Sequence, residues 1–293
     1  MTMMKASRLL LIWLLLSGVA LAESSQSSAP QTVEIPSGTL LLKAMLWTPQ
    51  GAGPFPAVSF SHGSGGADAD HTAGLTMTTA AEDLGPLFVK HGYAFLYLFR
   101  RGHGPSADQG PFMQDLLQRE ETAKGKDARQ HLQFVLVTTD HLDDVLAALS
   151  FLKTAPRIDA RRIALAGHSF GGQLTLLAAE HDNQVRAAVT FAAAAGSWDR
   201  SPELRERLIA AVRKIAAPIM LIHAENDFST APGRALAEEL ERLRKPYVLK
   251  IYPPVGKTPE DGHNMLYQAI PAWEDDVFKF LDEHVKNSTG GKS

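Results

Sequence analysis

A serine, an aspartate and a histidine, each just past an apolar run, are the residues best placed to do chemistry together. Ser169 lies in Gly167-His168-Ser169-Phe170-Gly171-Gly172, with an apolar run at 163–166 before it and a helix-like stretch at 173–180 after it. Strand, sharp turn and helix are the setting in which Gly-x-Ser-x-Gly holds a nucleophilic hydroxyl at the tip of the turn. A hydroxyl is a weak nucleophile at neutral pH and needs an adjacent base. The base in turn needs a third group to hold its tautomer. His263, in Asp261-Gly262-His263-Asn264-Met265, follows the last strand-like run, and Gly262 would let that loop turn tightly. Asp227 follows the run at 218–223 and is the expected orienting acid, with Glu225 and Asp199 as the alternatives. Ser229 or Thr230 can cap the next helix and leave Asp227 free. Of the 11 histidines, His168 should point away from Ser169, His62 precedes a glycine loop, His223 closes a strand and His284 lies on the last helix. His263 fits the base best.

A tetrahedral oxyanion needs two N–H donors. One is expected from Phe170, the residue after the nucleophile, and one from the loop His62-Gly63-Ser64-Gly65-Gly66 after an earlier strand. Ser64 is the expected second donor and Gly65 the alternative. That loop lacks the Gly-Lys-Ser/Thr ending of a nucleotide-binding loop. Arg101, in Arg101-Gly102-His103-Gly104-Pro105-Ser106, either bonds loop carbonyls or meets a substrate carboxylate. The chain has no cysteine. A thiol nucleophile and a thiolate metal site are therefore excluded, and no metal or organic cofactor is implied.

These residues must be positioned by a frame. Apolar or alternating runs at 40–47, 57–61, 93–99, 163–166, 186–193, 218–223 and 247–252 predict strands. Helical spacing is legible at 80–91, 140–153, 173–180, 202–214, 231–243 and 273–285. Alternation of the two predicts an α/β fold with a mostly parallel central sheet and helices on both faces. The strand ends then share one edge, where open α/β sheets bind ligands. Residues 107–139 break the alternation. They read as an insertion with a charged helical part and a more apolar one, either a small cap over the site or a surface excursion.

Residues 1–22 read as a secretory signal: Lys5 and Arg8, an apolar run at 9–16, then Ala20-Leu21-Ala22. The apolar stretch falls short of the roughly 20 residues that span a bilayer, so cleavage is expected, with no stable membrane anchor afterwards. Export to a periplasm or the medium follows. Residues 23–32 read as a flexible polar linker, 33–286 as the folded domain and 287–293 as a disordered tail. The formal charge of −3 becomes more negative once Lys5 and Arg8 are removed. That argues against a nucleic-acid partner.

The set formed by His62-Gly63, Arg101-Gly102-His103-Gly104, the Ser169 turn, Asp227 and His263 resembles the α/β-hydrolase superfamily. It is most similar to the dienelactone-hydrolase-like and prolyl-oligopeptidase-like branches. Dienelactone hydrolases usually carry a cysteine where Ser169 stands. The resemblance implies a serine hydrolase, and with the signal at 1–22 the expectation is an exported enzyme that cleaves a small-molecule carboxylic ester through an acyl-enzyme. A peptidase or amidase acting on short peptides is the alternative on the same residues, and a non-catalytic binding protein of this fold is the alternative in another class.

Overall fold

The computed structural model describes residues 29–65 and 77–287. Its strands are β1 (Gln31–Ser37), β2 (Leu40–Trp47), β3 (Phe55–Ser61), β4 (Ala94–Leu98), β5 (Ile158–His168), β6 (Ala188–Phe191), β7 (Ile219–Ala224) and β8 (Tyr247–Tyr252). They form one sheet in the order β1-β2-β4-β3-β5-β6-β7-β8. Pairing of β1 with β2 and of β2 with β4 is antiparallel, and every other neighbouring pair is parallel. This is the α/β-hydrolase fold.

The strand residues divide their side chains between two cores. In β4, Ala94, Leu96 and Leu98 face one core, whereas Phe95 and Tyr97 face the other. A strand buried on both sides must be apolar throughout, and that is how β4 reads. On one face lie α1 (Met77–Lys90) and α10 (Ile270–Leu281), which pack Phe88, Trp273 and Phe278 against the aromatic rows of β3 and β4. On the other lie α4 (Asp140–Thr154), α5 (Phe170–His181), α6 (Pro202–Lys214) and α7 (Ala231–Arg242). Helix α5 is buried from Phe170 to Ala179, so its hydrophobicity is not confined to a stripe. Parallel strands joined by crossing helices leave their C-terminal ends together. Ser61, His168, Phe191 and Ala224 all lie at that edge.

Several expectations change at their boundaries. The polar linker expected over 23–32 gives way to β1 at Gln31. Val33 and Ile35 of β1 are buried while Thr32, Glu34 and Pro36 are exposed, the alternation of a strand with one face on the core. Pro36 is tolerated because β1 pairs only with β2 and its other edge is open. The 107–139 insertion contains α2 (Met113–Lys124) and α3 (Lys126–Thr138), parted by Gly125. The segment around residue 263, read as a loop, forms α8 (Pro259–His263) and α9 (Met265–Gln268). The signal at 1–22 and all but Asn287 of the expected tail lie outside the described residues.

Candidate active site

The turn between β5 and α5 forces Ser169 into φ 53° and ψ −115°, a conformation costly for a residue with a β-carbon. The Ser169 N–H donates to the Phe191 carbonyl at 2.8 Å, which ties the turn to β6. The flanking glycines allow close approach. A β-carbon on Gly171 would lie 1.9 Å from the Ser61 carbonyl oxygen, and one on Gly167 would lie 2.4 Å from the Gly171 oxygen. Only without those carbons can α5 begin directly against the end of β3.

The structure brings Ser169, His263 and Asp227 into one hydrogen-bonded line. The His263 Nε2 lies 2.9 Å from the Ser169 Oγ, and the His263 Nδ1 lies 2.7 Å from the Asp227 Oδ1. With Nδ1–H donating to the carboxylate, Nε2 offers its lone pair to the serine hydroxyl. Of the alternative acids, Glu225 and Asp199 are both exposed. Ser229 accepts the Ala231 N–H and so serves the helix end that Asp227 leaves alone.

His263 is held from three sides. It ends α8, whose start is closed by a reciprocal cap between Thr258 and Asp261. Gly262 is needed for space rather than for a tight turn: a β-carbon there would lie 2.5 Å from the Asn226 Oδ1. Asn226 in turn donates to the Val255 and Thr258 carbonyls at 2.7 and 2.8 Å, pinning the segment that leads into α8. The His168 Nε2–H donates to the His263 carbonyl at 2.8 Å. Burial, followed by the nearby His263, pushes His168 down to about 3, so it stays neutral and makes this bond over a wide pH range.

Asp227 receives a second imidazole that the sequence reading did not assign to it. The buried His223 donates Nδ1–H to the Asp227 Oδ2 at 2.8 Å, and the Phe228 N–H reaches Oδ1 at 2.7 Å. Burial alone would disfavour the carboxylate, but the His223 and His263 donors outweigh it and bring Asp227 down to about 2. The available signal was the spacing: His223 lies next to the last residue of β7, four positions before Asp227.

The Phe170 N–H opens α5, among the helix donors that have no partner within the helix. Ser64 borders the clefts on both sides of Ser169. Arg101 is structural. It grips the buried Asp144 through Nε and Nη2, the latter at 2.8 Å. The neighbouring Arg100, unassigned from sequence, donates to the His62 and Gly63 carbonyls at 2.6 and 2.8 Å. Both lie past β4, in the loop after Leu98, where Arg101 turns to helix α4 and Arg100 to the glycine loop.

Two clefts meet at Ser169. One of about 230 Å³ is walled by Met77, Tyr97, His168, Asn264 and Tyr267. The other, about 200 Å³, is polar, with Gln114 from α2, Arg129 and Gln133 from α3, and Gln173 and Arg200 opposite. The insertion thus forms a wall of the site. Phe228, 46% exposed, belongs to both clefts and packs against His263 with ring centres 4.5 Å apart and planes tilted by 40°.

The dienelactone hydrolase family model matches residues 107–269. Among curated proteins, the polyketide transferase grgF of a Penicillium species is 31% identical over 175 residues, covering 56% of this chain and 52% of that protein. The quorum-quenching protein AidA of Acinetobacter baumannii is 27% identical over 162 residues, 55% of this chain and 43% of its own. The chain matches about half the length of these relatives. Among solved structures, acylaminoacyl peptidase of Pyrococcus horikoshii superposes with a TM-score of 0.63 at 18% identity, over 92% of this chain and 44% of that one. Est1E of Butyrivibrio proteoclasticus gives 0.62 at 19% identity, over 87% and 100%. The dienelactone hydrolase of Anabaena variabilis gives 0.56 at 21%, over 88% and 97%. At these identities the structural likeness speaks for the fold.

Proposed function

The chain belongs to the dienelactone hydrolase family, and from that premise we propose that it is an exported serine hydrolase that cleaves carboxylic esters through an acyl-enzyme. The observation that carries the reading is the line from Ser169 through His263 to Asp227, with spacings of 2.9 and 2.7 Å, at the C-terminal edge of the sheet. Ser169 Oγ attacks the ester carbonyl while His263 Nε2 takes its proton. Negative charge forms on the carbonyl oxygen and is received by the Phe170 and Ser64 N–H groups. Such donors act most strongly when they are fixed before the charge appears, and losing one costs roughly 100- to 1000-fold in rate. Collapse of the adduct expels the alcohol, which takes the proton from His263. Water then enters, gives a proton to His263 and attacks the acyl-serine, and His263 returns that proton to the Ser169 Oγ as the second adduct collapses and releases the acid. Asp227, held anionic by two imidazoles, stabilises the imidazolium at each stage and keeps His263 turned towards Ser169.

Export rests on the basic, apolar and small-residue pattern of 1–22. Among the described residues no helix is long and apolar enough to cross a membrane.

A fluorophosphonate probe and p-nitrophenyl esters of graded acyl length test the reading on purified protein. We expect labelling at Ser169 and turnover that falls at least about 1000-fold in Ser169→Ala. Wild-type turnover in Ser169→Ala would end it. Faster cleavage of aminoacyl amides than of matched esters would assign the same residues to a peptidase.

A further inference from the structure

Behind the glycine loop sits a cation that the chemistry above leaves unused. Arg100 is fully buried. Its two terminal nitrogens bond the His62 and Gly63 carbonyls, and its Nε has no hydrogen-bond partner among the described residues. No carboxylate is hydrogen-bonded or ion-paired to it among the described residues; the nearby Asp144 bonds Ser37 and Arg101 instead. The rings around it are uncharged. Burial, and then the Arg100 charge itself, holds His62, His103 and His141 well below the usual histidine range. Arg100 is itself pushed down by burial only to about 10, so it remains a cation at neutral pH. Its guanidinium carbon lies 5.3 Å from the centre of the Phe170 ring.

A buried cation without a paired anion is expensive, and this one is placed with purpose. In a planar trans peptide the C=O and the following N–H point in opposite directions. Because the Gly63 carbonyl is fixed on Arg100, the Ser64 N–H faces away from the arginine. Gly63 packs beside the nucleophile: a β-carbon on it would lie 3.5 Å from the Ser169 Cβ. The arginine therefore touches the peptide that carries one proposed donor and the ring of the residue that carries the other.

We infer that Arg100 is a positioning residue for the transition state: it aims the Ser64 N–H at the oxyanion and puts a fixed positive charge behind both donors. The inference rests on Ser169 being the nucleophile. Binding of the neutral ester gains little from such a charge. The anionic tetrahedral adduct gains much.

The test compares the wild type with Arg100→Lys and Arg100→Met, each checked for folding by circular dichroism and melting. For each, kcat and KM are measured on a p-nitrophenyl ester, together with the Kd of a short alkylboronic acid, which forms an anionic tetrahedral adduct on a nucleophilic serine. Arg100→Met should lose kcat by about 100-fold, with boronic acid affinity falling in parallel and KM moving less than about threefold. Arg100→Lys, which keeps the charge but not the two-pronged grip, should recover part of both losses. It also keeps the test alive should Arg100→Met fail to fold. In that case Arg100→Lys should still show kcat and boronic acid affinity falling together at unchanged KM. Folded variants that keep wild-type kcat, or that lose kcat with boronic acid affinity intact, would overturn the assignment. A wild type that neither binds the boronic acid nor turns over esters would sink the hydrolase reading and this inference together. An active wild type with unaffected Arg100 variants would sink the inference alone.

Discussion

At Asp227 a single carboxylate serves two imidazoles, and that sets what a substitution there does. In Asp227→Asn the amide can accept from only one of His223 and His263. Its NH₂ then faces an N–H on the other ring, and the negative charge that steadies the His263 imidazolium is gone. We expect kcat to fall by up to about 10⁴-fold with KM nearly unchanged, the loss that follows when a triad aspartate becomes an amide; steady-state kinetics on one p-nitrophenyl ester checks it. His223→Phe should do less, removing one donor while leaving Oδ1 on His263. A fall in kcat of about tenfold is expected, and loss as large as in Asp227→Asn would mean that His223 does more than hold the carboxylate. Ser169, Asp227 and His263 were legible in sequence because each follows an apolar run in a fixed chain order. Arg100 was not, since nothing in Arg100-Arg101 says which of two arginines turns inward. His223 read as a strand residue because its partner lies beyond the strand, in the loop.

Elements meet at Asp144 of α4. Its buried carboxylate accepts the Ser37 hydroxyl of β1 at 2.8 Å and the Arg101 backbone N–H at 3.0 Å, besides the Arg101 guanidinium. One side chain thus joins the edge hairpin, the loop after β4 and a helix of the opposite layer. Asp144→Ala leaves Arg101 without its main partner and the hairpin without its tie. A loss of about 3 kcal/mol is expected for breaking a buried pair on one side, read as a lower urea midpoint. An unchanged midpoint would refute it. The helices of 107–139 carry a different consequence. Gln114 donates to the Ser64 carbonyl at 3.0 Å, so α2 touches the loop that aims the proposed donor. The alternating parallel elements were legible from hydrophobic period. Strand β1 was not, because Val33 and Ile35 are its only buried apolar residues, amid polar residues and a proline. Nor was the placement of α2 and α3, which depends on contacts with a loop far away in sequence.

Among the described residues, four histidines spread across the molecule are buried in a state that resists protonation: His62, His103, His141 and His168. Unfolding releases each to take a proton near pH 6.5. Their native values lie lower, so the unfolded state binds more protons below pH 6.5 and stability falls as the pH drops through that point. At pH 5 each contributes up to about 2 kcal/mol to that loss, set against a total stability of roughly 5–15 kcal/mol for a typical domain. Asp227 acts lower down: its stabilising bonds persist until the pH falls from near 4 towards about 2. We therefore expect the melting temperature to drop steeply between pH 7 and 5, well before the carboxylates titrate. Calorimetry across that range checks this, and a flat melting temperature would count against neutral burial of the four rings.

The backbone at residue 169 has one more implication. A glycine would accept φ 53° and ψ −115° without protest, whereas the serine stays there under compulsion from β5, β6 and α5. A variant library screened for heat resistance alone should accordingly enrich glycine at this position. Every such survivor would be sturdier and inert, so durability and turnover must be selected together if either is to be improved.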